Sequence, residues 1–570
     1  MYESYNNVKK QAHKDSGDKT EYNKVSLQSQ VYTPRWVVEF LVHNSLGKLY
    51  LEMYPDSEIK DNFKIANAPQ KRIREPKPLH ELKLIDPASG SGNFLLYAFQ
   101  FFYKLYQDQI DNFGADYDED DIAQLIIENN LHGVDLDDRA IQLAQLGLWI
   151  KAKQKRRSTG SLKFNVVSSD FFLPEFTEVQ HIFESDQSLS APQKKLIEEV
   201  WADLQQAYKF GSLVKVGEKV KLQVQSLYDK QKRGEMDLFL SAEITQYEAF
   251  EKEFFTNLET AVAQYATQQG NSFLTDKTKD AITFLRLITQ RYDVATANPP
   301  YTDSADFGPD LKKFVEANYK KPYKFHTNLY ATFIKRCFEL LNENGYVAML
   351  HPLTFMYIKT FEDVRKYILT KSQINILAEL GLGGVFANND VQVDVVMYIL
   401  RNGSLKEKSL FIDLKKYKNH TNKPLIFKDA YFNLIERGID IHAYEMEQSK
   451  LKIIKSYPFI YWISDEFREK FKNKSIDDVL FVRQGGATGN NFRTLRLWWE
   501  VLEEDLSKEI DDEKKWVIYQ KGGPFLKWYG NNWCILGYND PDEYEYLSTH
   551  GNRLPSEDFY LKEGVSYCSS

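Results

Sequence analysis

The run Asn298-Pro299-Pro300-Tyr301 has the residue types needed to methylate an exocyclic amine on a base. Such a nitrogen is a poor nucleophile, because its lone pair is delocalised into the ring. A site must draw it toward tetrahedral geometry and aim the lone pair at a methyl donor. The Asn298 side-chain oxygen and the Pro299 carbonyl can each accept one N–H, Pro300 stiffens the loop, and Tyr301 can stack on the base. That is positioning plus electrostatic stabilisation of a growing positive charge, with no covalent intermediate. A Pro-Pro turn after a strand is the purely structural alternative. Carbon methylation needs a thiolate nucleophile, and the sequence has no Pro-Cys dipeptide and no cysteine near a candidate cofactor loop.

A second group of residues suits the methyl donor. Asp86-Pro87-Ala88-Ser89-Gly90-Ser91-Gly92-Asn93-Phe94 lies between a predicted strand and a predicted helix. Gly90 and Gly92 allow a tight turn and close approach of a ligand, and the amides opening the helix can receive a carboxylate. Asp86 can bind an ammonium group. Together they fit the amino-acid end of S-adenosyl-L-methionine. Glycine-rich turns also serve phosphates and dinucleotides, but no Gly-Lys-Ser/Thr follows, which disfavours a triphosphate loop. Asp135, closing the next predicted strand, can accept from both ribose hydroxyls. Asp170, closing the third, can accept from the adenine amino group, with Phe171 packed on that ring. Each acid alone could be a strand-end cap; three at successive strand ends beside one loop favour a binding site.

These residues need a scaffold that gathers strand ends. Strands are expected at Leu82–Asp86, Leu131–Asp135, Phe164–Ser168, Tyr292–Ala297, Tyr346–Leu350 and Val391–Leu400. Helices are expected at Phe94–Gln109, near Ile122–Asn129 and at Arg139–Ala152. The alternation implies a parallel sheet covered by helices on both faces, an α/β, Rossmann-like methyltransferase fold. A further helix should follow Tyr32-Thr33-Pro34, with Thr33 as its cap and Pro34 in its first turn. Residues 1–29 read as a polar tail, 30–174 as the cofactor half, 175–288 as a helical insertion and 289–402 as the catalytic half. Residues 403–570 read as a connector and the start of a DNA-recognition region.

At 570 residues the chain can hold several cores. Its 43% hydrophobic and 27% charged residues are ordinary for a globular protein, while 35 Tyr and 37 Phe make it rich in aromatics. A net charge of −8 argues against coating nucleic acid by bulk attraction and leaves local patches possible, such as Arg401–Lys428. Three scattered cysteines, without metal or disulfide spacing, and no signal or membrane-length apolar segment point to a cytoplasmic protein.

With these motifs in view, the chain resembles the gamma class of N6-adenine DNA methyltransferases. Tyr32-Thr33-Pro34 looks like their N-terminal cofactor motif, Asp86–Phe94 like their cofactor loop and Asn298–Tyr301 like their catalytic motif. Gln484–Asn491, Arg493–Trp499 and Lys521–Asn532 are similar to the adenine methyltransferases of Pgl/BREX phage-defence systems, and the chain is also similar to Eco57I-type restriction-modification methylases. The resemblance implies S-adenosylmethionine as cofactor and double-stranded DNA as partner, with other defence or restriction subunits. It implies cofactor roles for Tyr32, Thr33, Pro34, Asp86, Ala88, Gly90, Gly92, Asn93, Phe94, Asp135, Asp170 and Phe171. Target-adenine roles fall to Asn298, Pro299, Pro300 and Tyr301, with Phe386 on the base's other face. Arg493, Arg496, Lys521 and Lys527 are expected to contact phosphates or bases, or else to belong to a loop-rich packing module. Members of that family are longer at both ends, so the chain is expected to be a central piece. A target base inside a duplex must be flipped out. The rivals are an N4-cytosine, RNA or protein-amide methyltransferase, a non-catalytic cofactor-binding component, and a fused nuclease, for which too few residues precede Tyr32.

Overall fold

The computed structural model describes residues 15–20, 32–155, 161–171, 175–178, 180, 191–215, 272–386, 392–405, 407–481, 483–507, 512, 514–522, 530, 532–549, 554–560 and 562. The chain divides into two compact units, Met1–Arg468 and Glu469–Ser570.

The first unit is built on a nine-stranded sheet. In chain order its strands are β1 (Leu84–Asp86), β2 (Leu131–Asp135), β3 (Asn165–Ser168), β4 (Tyr292–Ala297), β5 (Leu341–Pro352), β6 (Ser372–Leu382), β7 (Asp394–Asn402), β8 (Ser409–Asp413) and β9 (Ala443–Met446). Their spatial order is β3-β2-β1-β4-β5-β7-β6-β8-β9. Neighbours from β3 to β5 are parallel, and β7 runs antiparallel between β5 and β6. The first six strands follow the doubly wound order of dinucleotide-binding folds, with β7 inserted. The α/β, Rossmann-like expectation is met.

The first four strands are almost wholly buried, as parallel strands covered on both faces must be. On one face pack α1 (Arg35–Val42), α2 (Asn93–Phe113), α3 (Asp138–Lys155) and α9 (Lys423–Arg437). The other face is covered by α4 (Ala191–Gln205), α5 (Ser272–Thr289), α6 (Pro309–Tyr319), α7 (Leu329–Leu340) and α8 (Glu362–Lys371). The described parts of the 175–288 insertion are helical, and α5 covers β2 and β3, fixed by an Arg286 bond to Asn165 Oδ1 at 2.7 Å.

The sheet continues past residue 402, where sequence placed a connector. β6 pairs with β8 in parallel and β8 with β9 antiparallel. β6 escapes sequence reading because Gln373, Asn375 and Glu379 interrupt its apolar pattern, yet all three are buried. Gln373 is satisfied there by Ser409 Oγ at 3.0 Å, and Glu379 accepts from the Tyr357 and Tyr461 hydroxyls at 2.6 and 2.5 Å. The basic run Arg401–Lys428 is only partly open, with Lys416, Lys418 and Lys428 exposed. Arg401 and Lys423 are buried, and Lys408 and Lys415 pair with Glu445 and Glu379. Thr20, assigned to the polar tail, is buried and forms a β-bridge with Phe307.

The second unit has a four-stranded sheet, ordered β10 (Leu495–Leu497), β13 (Cys534–Leu536), β12 (Trp516–Tyr519), β11 (Leu506–Ser507). Its small core is formed by Val517, Leu536, Tyr538 and Leu547. Among the described residues no helix is long and apolar enough to cross a membrane.

Candidate active site at the β1–β4 crevice

Strand order reverses at β1. The chain goes outward from it to β2 and β3, then returns to β4 on its other side. Loops leaving β1 and β4 therefore diverge and leave a crevice at the carboxyl ends of the strands, the usual ligand position in such sheets. A cavity opens there, lined by the β1 loop, Asp135, Leu136, Asn298 and Pro300.

The β1 loop is locked by its own backbone. Ser89 N–H donates to the Val134 carbonyl at 3.0 Å, and Gly92 N–H to the Ser89 carbonyl at 2.9 Å. Gly92 sits at φ +82° and caps α2; a Cβ there would stand 2.8 Å from that of Ala144. Gly90, at φ +50°, faces open space. Its amide donates to Asp135 Oδ2 at 2.8 Å, and Asp137 N–H donates to Oδ1 at 2.9 Å. Burial raises the Asp135 carboxyl above its ordinary value, while those two amide bonds oppose the shift.

Asp86 is 1% exposed, and its Oδ1 accepts from Ala88 N–H at 3.1 Å. Burial first, and the nearby Asp135 charge second, push this carboxyl well above the usual range. An ammonium placed beside it would restore the ionised form. The Ser89 hydroxyl is buried in the same loop without a hydrogen-bond partner. A carboxylate that needs a cation, an orphaned hydroxyl and an open glycine together suit the zwitterionic end of S-adenosylmethionine.

On the other wall, Asn298 follows β4. Its Nδ2 donates to Thr33 Oγ1 at 3.0 Å, and its Oδ1 accepts from the Tyr301 hydroxyl at 2.5 Å. Thr33 therefore does not cap the helix after it. α1 begins at Arg35 with Pro34 as its N-cap and no side-chain cap bond, and the Thr33 hydroxyl accepts from Asn298 instead. Burial raises the Tyr301 phenol, which keeps it protonated as a donor. Beyond it, Leu329 N–H bonds the Thr302 carbonyl, and Asn328 Nδ2 bonds the Tyr301 carbonyl at 3.2 Å, so the loop is tied to the start of α7.

Tyr32, Thr33, Asp86, Ala88, Gly90, Asn93, Phe94, Asp135, Asn298 and Pro300 thus line one cavity, although they come from segments far apart in sequence. Others do not join them. Asp170 is exposed, and Phe171 packs on Phe284 at 5.1 Å. The reason is a segment that sequence assigned to the insertion. Lys209, Phe210, Gly211, Ser212 and Leu213 form the wall beyond Leu136. Gly211, at φ +53°, lies so close that a Cβ would stand 3.3 Å from Leu136 and 3.7 Å from the Ser169 hydroxyl. The segment covers the end of β3. Ser212 Oγ donates to the Pro87 carbonyl at 2.6 Å, and buried Arg336 donates to the Ser212 and Val214 carbonyls at 2.6 and 3.0 Å. The apolar break Phe210-Gly211-Ser212-Leu213 in a Gln-, Lys- and Glu-rich stretch is the signal that could have revealed it.

Phe386 is 6% exposed and lies in the core cluster shared with Val385 and Val395, away from the cavity lining. Gly383 and Gly384, at φ +59° and +68°, turn the chain back into that core. In the second unit, Arg493 pairs with Glu543 at 3.1 Å and covers the Tyr546 ring at 4.0 Å. Arg496 donates to the Phe492 and Leu495 carbonyls at 2.9 and 2.7 Å, and Lys521 to Asn491 Oδ1 at 3.0 Å. These three expected DNA contacts are thus engaged within the unit; Lys527 lies outside the described residues.

The Eco57I restriction-modification methylase family matches residues 129–386, a span that includes Asp135, Asn298 and the Phe210–Leu213 wall. The adenine-specific methyltransferase BrxX of Escherichia coli (strain HS) is 26% identical over 605 aligned positions, covering 100% of this chain and 45% of that protein. The adenine-specific methyltransferase PglX of Lacticaseibacillus casei (strain Zhang) is 25% identical over 579 positions, covering 95% of this chain and 44% of that protein. The chain is similar to these methyltransferases over nearly its whole length. It spans less than half of their length. The type II restriction enzyme and methyltransferase RM.Eco57I of Escherichia coli is 28% identical over 128 positions, covering 21% of this chain and 13% of that protein.

Proposed function

We propose that the chain transfers a methyl group from S-adenosylmethionine to N6 of an adenine in double-stranded DNA, as part of a phage-defence or restriction-modification system in the cytoplasm. The observation that carries this reading is that Asn298 opens onto the same cavity as Asp86, the glycine loop and Asp135. Bound there, the cofactor supplies an electrophilic methyl sulfonium. Asp86 and the first amides of α2 hold its amino-acid end, and Asp135 accepts from its ribose.

The target adenine is swung out of the duplex to reach the crevice. Asn298 Oδ1 and the Pro299 carbonyl accept its two N–H groups, which localises the lone pair on nitrogen. Tyr301 gives up its bond to Asn298 and stacks on the base. The cofactor would supply the methyl group, exchanging its C–S bond for the new C–N bond, and one amine proton would leave to solvent. Amine methylation by positioning alone is supported by the state of Cys337. Cys337 is buried in the core, with its thiol pushed up by burial, and so is no nucleophile.

The test is transfer of labelled methyl from S-adenosylmethionine to unmethylated bacterial DNA, read by nucleoside mass spectrometry. N6-methyladenine is expected. N4-methylcytosine, or label confined to RNA or protein, would replace this reading with another amine acceptor. Tight cofactor binding without transfer to any acceptor would leave a cofactor-binding component that acts only with the remaining length seen in its relatives.

A further inference from the structure

We propose that Thr33 is a positioning residue for Asn298, holding its carboxamide so that the oxygen is presented to the target amine. This rests on the methyltransferase reading above. Thr33 is 3% exposed and is anchored twice. Its carbonyl accepts from Asn93 Nδ2 at 2.6 Å, and its hydroxyl accepts from Asn298 Nδ2 at 3.0 Å. Asn93 is the first residue of α2, beside the cofactor loop. One residue therefore joins the cofactor loop to the catalytic motif, across sequence separations of 60 and 265 positions.

The two ends of a carboxamide are nearly identical in shape, so packing alone orients it poorly. Hydrogen-bond partners decide which end faces a ligand. Thr33 takes the Nδ2 end. The Oδ1 end is left beside the Tyr301 hydroxyl, the partner that an adenine amine would displace. Two features argue that this is a fixed arrangement. Pro34, at φ −59° and ψ 144°, holds the chain extended between Thr33 and α1. The Thr33 hydroxyl also forgoes the helix cap, the use its position in the sequence suggests. Without that hydroxyl, the half-buried carboxamide loses one of the two side-chain partners that hold it, and shifting away from the position at which its oxygen meets the amine becomes easier.

Thr33 also lines the cavity, so a direct cofactor contact is the competing role. The test separates the two. Thr33→Val keeps the shape and removes the hydroxyl; Thr33→Ser restores it. At saturating S-adenosylmethionine and unmethylated bacterial DNA, single-turnover methyl transfer by Thr33→Val is expected to slow about tenfold. Cofactor affinity by calorimetry should change by less than about twofold, and Thr33→Ser should recover most of the rate. Weakened cofactor binding with an unchanged saturated rate would overturn the proposal. Crystal structures of the wild type and Thr33→Val supply a readout that needs no turnover. A carboxamide displaced in the variant is expected, and one left unmoved rejects the role of Thr33. Absence of N6-methyladenine from the wild type would instead count against the methyltransferase reading.

Discussion

Replacing Asn298 with alanine removes the acceptor that defines the proposed chemistry, and the structure gives its effect three separate parts. In catalysis, one preorganised hydrogen-bonding group aimed at developing charge is lost, which costs roughly 10²–10³ in rate. In stability, the Thr33 and Tyr301 hydroxyls both lose their partner. Thr33 is buried and Tyr301 half-buried, so the loss is about 1–3 kcal/mol in total, enough to lower the melting temperature by a few degrees. In cofactor binding, the change should be small. The Asn298 side chain bonds Thr33 and Tyr301, while the groups suited to the cofactor's polar end sit on the β1 loop and at Asp135. The assays are single-turnover methyl transfer, calorimetric titration with S-adenosylmethionine and thermal melting on the same preparation. Equal loss of methyl transfer and cofactor affinity would refute the division of labour between the two walls. Full activity would remove Asn298 from the chemistry altogether.

Asp86→Asn should remove most of the pH dependence of cofactor binding, with Asp135 leaving a residual part. Burial holds the Asp86 carboxyl above its ordinary value, so wild-type affinity should fall as pH drops through that raised value, while the variant binds weakly at every pH. Stability runs the other way. A carboxyl raised on folding contributes stability at low pH that is lost as pH rises through its folded value. The variant should therefore melt higher than the wild type at pH 8, with Asp135 leaving a residual slope; a lower melting temperature there contradicts the assignment. Gly92→Ala adds a Cβ at φ +82° and 2.8 Å from Ala144, for roughly 2–5 kcal/mol of strain and overpacking. Ala144→Gly in the same chain should recover only the overpacking part, as denaturant melts would read. Arg493→Ala should leave the salt dependence of DNA binding unchanged, since Glu543 already balances its charge. A fall of about one in the slope of log affinity against log salt would show that it meets a phosphate.

The motifs and the strands that carry them were legible in the sequence because their constraints are local. Gly90 and Gly92 need left-handed backbone, Asp86 and Asp135 close short apolar runs, and Asn298 follows another. Such features depend on residues within a turn or two of one another. Tertiary structure alone decided which strand ends meet. The reversal of strand order at β1 brings β4 beside it, and so Asn298 into the cavity lined by the β1 loop. It also placed β6 inside the sheet, where Gln373 and Glu379 find partners from β8 and from Tyr357 and Tyr461 that no local pattern announces. Phe210–Leu213 took the wall expected of Asp170 and Phe171 for the same reason, since Arg336 and Pro87, more than a hundred positions away, hold it there. Thr33 shows the limit most sharply. Its neighbours in sequence predict a helix cap, and its neighbours in space give its hydroxyl to Asn298.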